Sequence, residues 1–167
     1  DDLGFNRTQA RRILSHLSAL DITATTLATT AERLGQARRA LGAFTTDYAN
    51  RIMQVRYGAV CFQAQDLYTA PQDVRFRLLG RALSWMAATA YRPRQKTMER
   101  TLAAVQTGHC ATLHSCMVIP RGPLVWICRE YAAVAKGQTP APFDARWCVH
   151  PPPAGAFWRA LGHDGML

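Results

Sequence analysis

Apolar positions in the first third of the chain recur at helical spacing. Ala10, Ile13, Leu14 and Leu17 line one face of a helix from Arg7 to about Leu17, with Asn6 as its N-cap and Arg7, Arg11 and Arg12 beside the stripe. A second, longer helix is predicted from near Asp21 to about Met53. Leu27, Leu34, Leu41 and Tyr48 follow each other every seven residues, and Thr30, Ala37 and Phe44 sit three further on in each heptad. At 1.5 Å rise per residue this helix would be roughly 45 Å long. Gly35 and Gly42 weaken it without requiring a break. The second apolar position of the heptad is weak, which favours an antiparallel helical hairpin over a dimeric coiled coil.

The pattern then changes period. Val55, Tyr57, Ala59 and Cys61 alternate with their neighbours as in a short strand. Pro71 opens a helix to about Ala90 whose wide buried face is drawn from Val74, Leu78, Leu79, Ala82, Leu83, Trp85 and Met86, and Arg92-Pro93 breaks it. A further helix to about Gln106 turns Met98, Leu102 and Val105 inward and has Gly108 as its C-cap. Strand-like stretches follow at 110–119, 124–129, 145–149 and 156–161, with turns or linkers at 138–142 and in the Pro151-Pro152-Pro153 run. Helices first and a small sheet afterwards predict an α+β fold: a helical hairpin or bundle region, then a small β-rich C-terminal subdomain.

Charge adds a partner class. Twenty Lys and Arg face eleven Asp and Glu in 167 residues, for a net charge of +9. Only Lys96 and Lys136 are lysines, which leaves eighteen arginines. Arginine holds phosphate and stacks on bases more readily than lysine, so a nucleic-acid partner is favoured. The cellular address is read from absences. The longest nearly apolar run, Leu83 to Ala90, is far too short to cross a bilayer, and no basic-then-apolar leader opens the chain. Five cysteines without the spacing of a secreted scaffold fit a reducing, cytoplasmic setting. The first residue is Asp, so a fragment or a processed product is expected.

The candidate chemistry is binding. Arg77 and Arg81 share a helix face, Lys96 and Arg100 share one on the next helix, and Arg92 and Arg94 stand where that helix begins, with Tyr91 in the break. Such a surface could track phosphates with an aromatic at its edge, or it could be an ordinary solvated face. His109, Cys110, His114 and Cys116 have ligand types suited to zinc, but on a strand His109 points away from the other three, so no metal site is expected. A Cys–His dyad there lacks an orienting third group and an oxyanion hole. Neither a G-x-x-x-x-G-K-[ST] nor a G-x-G-x-x-G loop occurs, so the chain offers no nucleotide-phosphate loop.

Several segments taken in order resemble one family. Thr101 to Glu130 carries a helix stopping at Gly108, then Thr112-Leu113-His114-Ser115-Cys116, a Pro-Arg-Gly-Pro turn at 120–123 and a run closing on Arg129-Glu130. This resembles the bacterial tRNA(Ile)-lysidine synthetase family, with Ser115 where that family usually has Gly. The opening Asp1 to Arg7, with Arg11 after it, is similar to the family's junction between catalytic and helical regions. Phe143 to Trp147, the prolines at 151–153 and Arg159 to Gly162 look like its closing strands, with Ala145 in place of a usual Gly.

The resemblance implies an α+β C-terminal portion of the enzyme without its ATP-pyrophosphatase domain. Its parts would be 1–18 (end of the catalytic domain and junction helix), 19–107 (helical tRNA-recognition region) and 108–167 (small β-rich region). The whole enzyme would be a ligase that adenylates C2 of the wobble cytidine of tRNA(Ile) with ATP and Mg2+ and lets free lysine displace AMP. ATP and lysine would bind the missing domain, whose Ser-Gly-Gly-x-Asp-Ser loop does not occur here. This stretch, inactive alone, would place tRNA(Ile) through Arg77, Arg81, Arg92, Arg94, Lys96 and Arg100, with Asp2, Arg7 and Arg11 nearest the chemistry. Arg7 and Arg11 could equally be exposed helix arginines. The alternative is a free-standing basic RNA- or DNA-binding module, and a helical protein dimerising through its 21–53 seam is a third reading.

Overall fold

A computed structural model describes residues 3–135, 143–147 and 155. The chain divides after Phe44 into two compact units, Asp1–Phe44 and Thr45–Leu167.

The first unit holds α1 (Leu3–Ser18) and the larger part of α2 (Ala24–Ile52). Helix α1 includes Asn6, so that residue is not the cap the sequence suggested. The turn after α1 passes through Asp21 at φ 56, where Ile22 N–H bonds the Leu17 carbonyl at 3.0 Å. Helix α2 therefore begins later than Asp21, at a real cap: Thr23 Oγ1 accepts from Thr26 N–H at 3.1 Å. The heptad seam does not close a core here, because Leu27 and Leu34 remain 41% and 66% exposed.

The second unit carries the sheet and the core. Strands β1 (Met53–Arg56), β2 (Ala59–Gln63), β3 (Ala111–Leu113), β4 (Cys116–Arg121) and β5 (Leu124–Arg129) form one antiparallel sheet in the order β1-β2-β5-β4-β3. Around it stand α3 (Ala64–Thr69), α4 (Gln72–Met86), α5 (Gln95–Gln106) and α6 (Tyr131–Val134). Helix α4 packs on β2 and β5, and α5 on β3 and β4. Val60, Ile127 and Val118 share one cross-strand row, and Phe62 pairs with Val125 beside it. These five are at most 1% exposed, as are Leu78, Leu79, Leu83 and Met86 of α4. The expected α+β fold is the one observed.

Two expected strands are in fact hairpins. The stretch read as one strand from Val55 to Cys61 is β1 and β2 joined through Tyr57 and Gly58, at φ 52 and 76. The stretch 110–119 is β3 and β4 joined through His114 and Ser115, at φ 59 and 55. Two successive left-handed residues form the turn whose twist matches a two-residue hairpin, for which x-Gly is the usual sequence. Tyr57-Gly58 keeps that glycine, but Ser115 hides the second turn from a sequence reader.

Helix α4 also ends before Ala90. Ala88 takes φ 51, and Thr89 N–H bonds the Ser84 carbonyl at 3.0 Å, so the helix closes without a glycine to announce it. Helix α5 ends where expected. Gly108 at φ 86 lets its own N–H reach the Val105 carbonyl and His109 N–H reach that of Ala104, at 3.1 and 2.9 Å. Helix α3 has no counterpart in the sequence prediction. At 143–147 the chain makes a tight turn closed by a Phe143–Trp147 bridge in place of the start of a strand at 145–149; residues 148–149, the strand at 156–161 and the proline run lie outside the described residues.

Candidate nucleic-acid interface

Helix α4 presents its cations in three different ways. Arg75 is structural: its Nη2 donates to the carbonyls of Tyr68 and Ala70 at 2.6 and 3.0 Å, and its guanidinium lies 5.7 Å from the Tyr68 ring centroid. Burial pushes the Tyr68 phenol up from its ordinary pKa, partly offset by Arg75. Arg77 donates to Asp73 one turn back at 2.8 Å, which shares its charge with a carboxylate. Arg81 uses only Nη1, on Thr46 Oγ1 at 2.8 Å, and its other guanidinium nitrogens make no hydrogen bond among the described residues. That single bond fixes the side chain and leaves the rest of the fork available.

The next segment meets α4 at Gly80. A Cβ there would lie 3.6 Å from Met98 Sδ and 3.7 Å from Arg92 Cδ, ordinary contact distances, which places the Arg92 stem against α4 at this position. Arg94 is the exposed N-cap residue of α5. On α5, Met98, Thr101, Leu102 and Val105 are buried, which puts Lys96 and Arg100 on the opposite, exposed pole. Neither makes an ion pair among the described residues, since Glu99 accepts instead from Gln95 at 3.0 Å. Tyr91 stands 62% exposed in the connection, with its ring 6.3 Å from that of His114.

Of the predicted residues, Arg77 and Arg81 thus share one face of α4, the Arg92 stem rests against Gly80 of the same helix, and Lys96 and Arg100 share the exposed face of α5. Arg7 and Arg11 are exposed on α1, in the other unit; Asp2 lies outside the described residues.

The His and Cys residues do not converge. Cys116 is fully buried, Cys110 is exposed, His109 Nδ1 pairs with Thr107 Oγ1 at 3.1 Å, and His114 occupies the β3–β4 turn. Among the described residues no three His, Cys, Asp or Glu side chains are placed to hold a metal ion. Burial raises the Cys116 thiol pKa, offset in part by Arg129, and burial likewise raises those of Cys61 and Cys128.

One cluster escaped the sequence reading. Asp144 receives Arg129 Nε on both oxygens at 3.1 and 3.0 Å, and Arg146 Nη2 on one of them. Arg129 Nη1 reaches back to the Ser115 carbonyl at 3.0 Å, tying β5 to the β3–β4 turn. The Arg146 guanidinium lies 5.3 Å from the ring centroids of both Trp85 and Trp147, which themselves meet edge-on at 6.1 Å. Trp85, assigned from periodicity to the buried face of α4, is instead 45% exposed. Its only sequence signal is the neighbouring Arg81; the contact with residues some sixty positions away leaves no local trace.

The chain is similar along its length to curated proteins. Over 169 aligned positions it is 29% identical to the tRNA(Ile)-lysidine synthase of Ruegeria pomeroyi, covering 99% of this chain and 40% of that protein. The resemblance to the tRNA(Ile)-lysidine synthases therefore extends over the whole chain. A second relative, the tRNA(Ile)-lysidine synthase of Methylobacterium nodulans, is 33% identical over 94 residues, 55% of this chain and 28% of that protein. The chain thus spans well under half the length of either curated relative. No family model matches it, and no solved structure is a significant match. Among the described residues no helix is long and apolar enough to cross a membrane.

Proposed function

We propose that this chain is the tRNA-binding portion of a tRNA(Ile)-lysidine synthase, acting in the cytoplasm. The observation that carries this reading is the end-to-end similarity to a protein of that name, at 29% identity over 99% of the chain. The cations of α4 and α5 give it a physical basis. Phosphate contacts position a nucleic acid without reading its sequence, and Arg81, Arg92, Arg94, Lys96 and Arg100 offer such contacts on well-anchored helices. ATP, Mg2+ and lysine would be handled by the part of the synthase that this chain does not span, since the chain contains no nucleotide-phosphate loop. The chain alone would bind tRNA and modify nothing.

Titration of the chain with tRNA(Ile) and with duplex DNA at two salt concentrations tests this. Tighter binding of the tRNA is expected. Lys96→Ala with Arg100→Ala should weaken it and lower the salt slope by about two, one for each phosphate that is no longer neutralised. The net charge of +9 by itself supports the second reading, a generic basic module. Equal affinity for both nucleic acids would favour that reading.

A further inference from the structure

Trp85 is held more firmly than an exposed tryptophan requires. Trp147 meets it edge-on, and Arg146 lies over it at 5.3 Å. Arg146 is in turn fixed by Asp144 and by Met86 Sδ at 3.3 Å, its side chain is only 9% exposed, and its buried Nε has no hydrogen-bond partner among the described residues. The ring nevertheless stays 45% exposed, and its N–H, which can only donate, makes no hydrogen bond among the described residues.

Next to the indole is a groove of about 380 Å³ between the edge strand β1 and α4, lined by Met53, Val55, Val60, Ala82 and Arg81. Its floor is apolar, its rim carries the Arg81 fork, and Arg77 stands one turn away on the same helix. A flat, apolar-faced ligand with a negative charge at one end fits that combination. In a chain of eighteen arginines and net charge +9, a nucleotide is the occupant with matching charge. A base inside a duplex has both faces already stacked, so only an unpaired base could offer one to the indole.

We propose that the β1–α4 groove receives an unpaired nucleotide of the bound RNA, its base stacked on Trp85 and its phosphate held by Arg81. This rests on the tRNA-binding reading and adds a subsite to it. Arg77, Arg81 and the α5 cations track the backbone, and Trp85 distinguishes single-stranded from paired segments.

The test titrates the chain with a short single-stranded oligoadenylate RNA, a blunt RNA duplex and tRNA(Ile). Trp85→Ala should lower affinity for the single strand about tenfold and leave the duplex within about twofold. Trp85→Phe should retain most of the single-strand binding. Val55→Glu, at a position 52% exposed on the groove wall, should reproduce the selective loss and serves if Trp85→Ala does not fold. Equal losses for single strand and duplex, or no loss for either, would overturn the proposal. The two readings fail separately. A chain that ignores tRNA(Ile) but loses single-strand binding with Trp85→Ala keeps the groove and forfeits the synthase reading. One that binds tRNA(Ile) while Trp85 variants bind the single strand normally does the reverse.

Discussion

The two units of this chain carry similar chemistry on very different supports. From Arg7 to Phe44 no described residue is buried, and Arg7, Arg11, Arg12, Arg33, Arg38 and Arg39 are all exposed without an ion pair among the described residues. From Thr45 onward a sheet covered by α4 and α5 supplies a core, and five of its arginines (Arg75, Arg77, Arg81, Arg129 and Arg146) are fixed by Thr46, Asp73, Asp144 and the rings of Tyr68, Trp85 and Trp147. Positive charge on a solvated helix gives long-range attraction of a polyanion and little more. Positive charge anchored on a packed unit can also define where each phosphate sits. Specific recognition is therefore expected of the second unit.

The largest test of this contrast is in the core. Phe62→Ala, at a residue with no exposed surface, should cost about 3–5 kcal/mol in urea denaturation. Asp144→Asn should come next, at about 3 kcal/mol, because it leaves Arg129 and Arg146 largely buried without their shared carboxylate. A loss under about 1 kcal/mol would mean that the rings and carbonyls around these arginines suffice alone. Smaller and opposite in sign, Ser115→Gly and Ala88→Gly should each stabilise by about 0.5–1 kcal/mol, read as a rise in melting temperature, because each relieves a left-handed backbone position. At the far end, Leu34→Ala in the first unit should change stability by no more than about 0.5 kcal/mol. A chain starting at Thr45 should still unfold cooperatively, and a non-cooperative melt would show that the first unit is needed for the second to fold.

How much of this was legible in the sequence differs from element to element. Helix α5 could be read nearly residue for residue, since its apolar stripe, its start after Pro93 and its glycine stop are all local signals. The end of α4 could not, because an alanine does there what a glycine usually does. Both hairpins read as single strands for a related reason. Alternation continues through a two-residue turn, and His114-Ser115 lacks the glycine that would have broken the pattern. The cationic candidates on α4 and α5 were visible as i,i+4 pairs. Their inequality was not: Arg77 is engaged by Asp73, Arg81 uses one nitrogen on Thr46, and Arg75 belongs to the packing.

The sequence by itself determined the α+β class, most helices, the similarity to the lysidine synthases and the excess of arginine. Each of these is written in periodicity, composition or ordered motifs, which need no third dimension. Only the tertiary structure decided that Trp85 faces outward, that Arg146 lies over it, and that the Arg92 stem rests against α4 at Gly80. Contacts between residues far apart in the chain are set by how the sheet orders its strands and where the helices land on it. Short-range patterns fix neither, and the proposed nucleotide groove depends on both.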